Sequence, residues 1–183
     1  MSGRNRMSLR RCALLLAALL AAPAQSQTPA LSEYQVKAGF IFNFARMVEW
    51  PARSRGPTLR LCMLGDDPFG PIKEQIAGKL VDGRKLEIRM LDTAGEAAGC
   101  DMLFIAASAS HDLTKLLAAT KGVPVLTIGD SEGLAAQGLV IGFYRSGDEV
   151  RFEINIDAAA RAGLQVSSRL LNLARRVHDG AAP

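Results

Sequence analysis

A chain of 183 residues, 49% hydrophobic and 22% charged, has the length and apolar content for one domain with its own core. Its formal charge of +4 comes from Arg4, Arg6, Arg10 and Arg11; the 22 Lys+Arg less these four equal the 18 Asp+Glu, none of which lies in the first 24 residues. A neutral body without basic clusters between aromatics excludes the electrostatic footprint of a nucleic-acid-binding protein.

In chain order, residues 1–24 read as an export signal. A basic start leads into the apolar run Cys12–Ala22, and Ala22-Pro23-Ala24 is a small-residue cleavage site. The run is too short to span a bilayer, so the mature chain is expected to begin at Gln25 and to work in the periplasm. One α/β domain is expected over 32–178.

Tyr34–Pro51 concentrates the aromatics: Tyr34, Phe40, Phe42, Phe44 and Trp50. Within it, Val36–Met47 reads as a helix, with Val36, Phe40, Phe44 and Met47 on one face and Lys37 and Arg46 away from its centre. Phe40 and Phe44 read as core, Phe42 and Trp50 as the members nearer the surface. Thr58–Leu64 reads as a strand. Asp67 then suits an N-cap and Pro68 a first helical position, for a helix running to about Ala77. Leu86–Leu91, Met102–Ile105 and Val123–Ile128 read as strands, with a helix over His111–Thr120 capped by Ser110. Leu139–Tyr144 and Glu149–Ile156 read as a hairpin. Asp157 is placed as the cap of a short helix that ends at Gly163, and Ser167 as the cap of a last helix, Ser168–Val177.

This order predicts a three-layer α/β domain with a mostly parallel sheet and an antiparallel edge hairpin. Arg151–Ile156 alternates, with Phe152, Ile154 and Ile156 on one face and Arg151, Glu153 and Asn155 on the other. A sheet covered on both sides leaves no polar face, so this strand is expected at the edge. An open edge is also a route to a homodimer. Cys62 and Cys100, in an exported chain, read as one disulfide, with two separate buried thiols as the alternative.

Catalytic chemistry finds little support. His111 and His178 lack further ligands at metal spacing. Ser108, Ser110 and His111 lack a nucleophile elbow. No G-x-G-x-x-G or G-K-[ST] loop points to a nucleotide or other cofactor. Asp66 and Asp130 follow strand ends, where α/β sheets bind ligands, and mark a crevice for a small molecule.

Five stretches carry a family resemblance: VKAGFIFNFARMVEWP, LRLCMLGDDPFG, CDMLFIAAS, PVLTIGDSEG and RFEINIDAAARAGLQVSSRLLNLA. In this order, behind an export signal, they resemble the YfiR family, the DUF4154 domain. Gly39 stands where an alanine is usual, and the second cysteine pair of some relatives is missing. The last stretch is also similar to one lobe of a periplasmic solute-binding protein. The resemblance implies a periplasmic, non-enzymatic regulator. Its partner would be the periplasmic sensor domain of an inner-membrane diguanylate cyclase, whose repression lowers cyclic-di-GMP and biofilm formation. An OmpA-like outer-membrane lipoprotein would sequester it. Arg151, Glu153 and Asn155, with Phe143 from the neighbouring strand, are the residues expected to face the partner. The competing reading is a small-molecule-binding sensor module.

Overall fold

The computed structural model describes residues 31–52 and 56–179. The expected signal lies outside the described residues. Helix α1, Glu33–Met47, opens with a capping box: the Ser32 hydroxyl accepts from the Gln35 N–H, and the Gln35 side chain accepts from the Ser32 N–H. The helix therefore starts three residues before the apolar periodicity does. It runs directly into β1, Val48–Glu49.

The strands that follow are β2 (Thr58–Leu64), β3 (Leu80–Val81), β4 (Arg84–Leu91), β5 (Met102–Ile105), β6 (Leu126–Gly129), β7 (Ile141–Ser146), β8 (Glu149–Asn155), β9 (Gln165–Val166) and β10 (Arg176–His178). Between them lie helices α2 (Leu113–Ala119), α3 (Ile156–Arg161) and α4 (Ser168–Leu173). Eight strands form one sheet in the order β10-β8-β7-β6-β5-β2-β4-β3, and β1 pairs separately with β9. The pairs from β4 through β2, β5 and β6 to β7 are parallel; β8 turns antiparallel to β7, and β3 to β4.

Each face of the sheet carries its own core. On one, Phe44 of α1 meets Phe143 and Phe152 at ring-centroid distances of 5.7 and 4.9 Å, with Leu170 of α4 and Ala158 of α3 in the same cluster. On the other, Leu103, Ile105, Leu116 and Leu139 pack around the Cys62–Cys100 disulfide, whose Cα atoms are 5.9 Å apart. Each fully buried Phe or Leu contributes about 1.5–3 kcal/mol by leaving water. This is the three-layer α/β arrangement that the sequence predicts.

The differences are local. The helix expected to start at Pro68 is only a 3-10 turn, Gly70–Gln75. Asp67 does take the N–H groups of Phe69 and Gly70. However, Gly70 sits at φ +48° ahead of Pro71, a residue that disfavours α geometry before it, so the helix cannot propagate. Ser110 donates to the Ala107 carbonyl within another 3-10 turn, and α2 begins only at Leu113. Asn155, not Asp157, caps α3 by accepting from the Ala158 N–H.

The last helix stops at Leu173, because Ala174 turns extended at ψ 141°. Arg176–His178 then pairs in parallel with Glu153–Asn155. Strand β8 is therefore not the edge of the sheet, and its polar face is not the solvated one.

Candidate functional site

Two of the five signature stretches, the N-terminal helix and β8, converge on a third: the loop Asp130–Ala135 that follows β6. From α1, Lys37 reaches Asp130 Oδ1 at 2.5 Å and Glu33 Oε1 at 2.5 Å, and the Tyr34 hydroxyl donates to Asp130 Oδ2 at 3.0 Å. The Lys37 ammonium also stands 4.7 Å from the Tyr34 ring centre. The Lys37 side chain is 4% exposed and the Asp130 side chain 2%, so neither charge keeps its water shell and each depends on the other.

Arg145 of β7 closes the cluster with a 2.9 Å bond to Glu33 Oε2. The Lys37 hydrogen bond is the main reason that the Glu33 carboxyl lies below its usual range. Burial, reinforced by the Asp130 charge, pushes the Tyr34 hydroxyl up to about 12.

From the other side, Glu153 of β8 accepts from the Gly133 N–H at 3.0 Å and meets His178 Nε2 at 2.9 Å. Asn155 donates to the Ala135 carbonyl at 2.8 Å, and Arg176 of β10 reaches Glu132 at 3.3 Å. Gly142 makes room for this arrangement. A Cβ there would stand 3.0 Å from the Ala135 nitrogen and 3.1 Å from Glu153 Oε1.

These contacts correct the surface expected on β8. Glu153 is 1% exposed and Asn155 is 9%, both because β10 and the Asp130–Ala135 loop cover them. Phe143 is wholly buried beneath Phe44, since it belongs to the core face of β7. Arg151 alone of the four remains half-buried, beside Glu149. Trp50 is likewise interior, donating to the Asp101 carbonyl. Phe42 is half-buried, with the Lys79 ammonium 5.4 Å from its ring centre.

Asp66 and Asp130 do not share a crevice. Asp66 is exposed and lines a cleft of about 760 Å³ at the carboxyl ends of β2 and β4, together with Asp92, Thr93, Ser108, His111 and Lys115. The chain leaves β2 for β4 on one side and returns to β5 on the other, so this is the switch point of the sheet. Ser108 closes its floor, accepting the Asp66 N–H at 2.9 Å. Asp130 is instead committed to Lys37 and Tyr34. Asp67, next to Asp66, pairs with Lys73. Burial raises its carboxyl, but Lys73 and the two backbone N–H groups outweigh that and hold it below its usual value.

Sequence reasoning missed Lys37. The one usable signal was Glu33 four residues ahead, an i,i+4 ion pair. Among the described residues, no group of three or more His, Cys, Asp or Glu side chains is placed to hold a metal ion, and no helix is long and apolar enough to cross a membrane.

The fold is similar to two solved structures. One is a conserved domain protein from Vibrio cholerae O1 biovar El Tor, at 14% identity and a TM-score of 0.55 over 80% of this chain. The other is an ABC domain in complex with L-Trp from Streptococcus pneumoniae, at 10% identity and 0.53 over 79%. This chain spans 60% of each, and at these identities the likeness is one of fold. The match to a family is broader: residues 34–175 fit the DUF4154 family, described as YfiR/HmsC-like. That span takes in α1 from Tyr34 onward, the disulfide, the Asp130–Ala135 loop and β8, and the chain belongs to this YfiR/HmsC-like family.

Proposed function

We propose that this chain is a periplasmic regulator that acts by binding. Its target is the periplasmic sensor domain of an inner-membrane diguanylate cyclase, which it represses, lowering cyclic-di-GMP and biofilm formation. An OmpA-like outer-membrane lipoprotein competes for it and releases the cyclase. The observation that carries this reading is the family match across residues 34–175. Two features of the fold agree with it. Cys62 and Cys100 form a disulfide, as in proteins of oxidising compartments. The best-buried acids at the carboxyl end of the sheet, Asp130 and Glu153, are held by Lys37, Tyr34, His178 and the Gly133 N–H, which favours a structural over an acid–base role.

The test is capture of partners from inner membranes of the host cell by the purified protein under non-reducing conditions. Recovery of a membrane protein with a cyclase domain supports the proposal. Recovery of none contradicts it.

The cleft of about 760 Å³ beside Asp66 favours a second reading, a small-molecule sensor module. A rise in melting temperature with one compound from a metabolite panel, abolished by Asp66→Ala, would support that reading.

A further inference from the structure

Helices α1 and α4 pack on the same face of the sheet, and residues of both line a groove of about 350 Å³. Its aromatic members are Phe44 and Phe152, which are buried, and Phe40, which is half-buried. Helical spacing supplies the rest. On α1, Asn43 and Met47 are one turn apart, with Arg46 beside them. On α4, Arg169 and Leu173 are one turn apart, while Leu170 turns into the core. Asn43, Arg46, Arg169 and Leu173 are exposed, Leu173 to 54%. The described lining residues include two arginines and one acid, Asp82. The same sign runs on along the chain: from Ala158 to His178 there are four arginines and no Asp or Glu. Val177, paired with Ile154 and therefore on the α1 face of the sheet, is a second exposed apolar side chain, at 40%. Helix polarity accounts for Arg46, in the last turn of α1. It gives no reason for Arg169, in the first turn of α4, where a cation is disfavoured.

We infer that this face docks on an anionic phospholipid surface, with Arg46 and Arg169 on lipid phosphates and Leu173 and Val177 in the headgroup layer. A guanidinium fork pairs with two phosphate oxygens at once. Exposed Leu and Val side chains flanked by arginines suit the apolar boundary just below the headgroups. The groove offers the upper methylenes of a bound lipid an apolar floor. An acidic protein would need carboxylates fixed opposite both arginines, whereas lipid headgroups move to them. Attraction of this kind falls off within about 8 Å at physiological salt. It would hold the chain reversibly beside a membrane-bound target without anchoring it. The face would meet such a surface only in the periplasmic setting proposed above, but vesicle binding needs no cyclase, so the two can fail separately.

The test is co-sedimentation of protein purified from cells expressing the full chain with two kinds of vesicle: phosphatidylglycerol and phosphatidylcholine in equal parts, and phosphatidylcholine alone. Beyond residue 24 the chain has as many Lys and Arg as Asp and Glu, so binding to anionic vesicles reports a local patch rather than net charge. The wild type is expected to bind the first vesicles and not the second, and to be released as salt rises. Arg46→Gln and Arg169→Gln are each expected to weaken binding about fivefold. Leu173→Ser is expected to weaken it with the salt dependence unchanged. Lys121→Gln, which removes an exposed cation just after α2, is expected to leave binding as it was. All four changes fall at exposed positions, and each variant should keep the circular dichroism spectrum of the wild type. A wild type that ignores the anionic vesicles would overturn the inference, as would equal losses in Lys121→Gln and Arg169→Gln. Saturable binding to poly-L-glutamate without binding to vesicles would also overturn it, and would give the face to an acidic protein.

Discussion

Strands β4 and β8 look alike in sequence and end in opposite environments. In β4, Leu86, Ile88 and Met90 alternate with Glu87 and Arg89; in β8, Phe152 and Ile154 alternate with Glu153 and Asn155. Glu87 and Arg89 are exposed, as the alternation leads one to expect, but Glu153 is 1% exposed. The difference comes from what reaches each strand. A three-residue strand, β10, and the Asp130–Ala135 loop close over β8, bringing it a backbone N–H, an imidazole and a carbonyl to satisfy its polar groups. On its outer side, among the described residues, β4 is met only by the short β3, at Arg84 and Lys85. Alternation reports that a strand has two unlike faces. It does not report which face is wet, because a polar face can be buried once each of its groups has a partner.

The largest effect expected is at Glu153. Replacing it with Ala leaves the Gly133 N–H without its acceptor inside the protein, and should cost about 2–4 kcal/mol in urea unfolding. A loss within experimental error would mean that the burial of β8 is not held by this carboxylate. Ending the chain at Arg175 removes β10 and the His178–Glu153 bond while keeping Glu153. A smaller loss, about 1–2 kcal/mol, is expected, with faster hydrogen exchange confined to β8 and the Asp130–Ala135 loop.

Tyr34, on the covered side, sharpens the contrast through pH. Its hydroxyl is pushed from 10.0 to about 12 in the fold, so the unfolded chain ionises first. The corresponding stability is complete below pH 10 and disappears as pH rises toward 12. Unfolding curves across that window should show the wild type losing about 1–2 kcal/mol more than Tyr34→Phe, after allowance for solvent screening. Parallel curves for the two proteins would contradict the placement of Tyr34 against Asp130. Glu87→Ala, the counterpart of the Glu153 change on β4, should alter stability by less than about 0.5 kcal/mol. A loss comparable to that of Glu153→Ala would erase the distinction between the two strands.

Much of the architecture was legible in the sequence because its signals are local. The apolar stripe of α1, the buried run Met102–Ile105 and the turn at Ser146-Gly147-Asp148 each declare themselves within a few residues. The cysteine pair was legible from the expected export signal and from the apolar stretches around Cys62 and Cys100. The end of the chain was not. Ser168–Val177 has helical spacing at Leu170, Leu171, Ala174 and Val177, yet α4 stops at Leu173 because the unpaired edge of β8 can take Arg176–His178 as a strand. Local spacing carries no information about a vacant sheet edge.

Lys37 and Asp130 were opaque for the same reason. They are 93 residues apart, and nothing beside either residue announces the other. Asp130, an acid after a strand, therefore read as a ligand group in the alternative reading, and Lys37 only as a residue away from the centre of the apolar stripe. Asp66 had the same local setting as Asp130 and does line a cleft. The distinction between the two acids lies wholly in α1, which covers one and not the other.

The measurement closest to the functional proposal is cyclic-di-GMP in the host cell with and without this chain. Loss of the chain should raise cyclic-di-GMP severalfold, and restoring the intact protein should lower it again. A level that does not change when the folded protein is present in the periplasm in one strain and absent in the other would contradict the proposal that it represses a diguanylate cyclase.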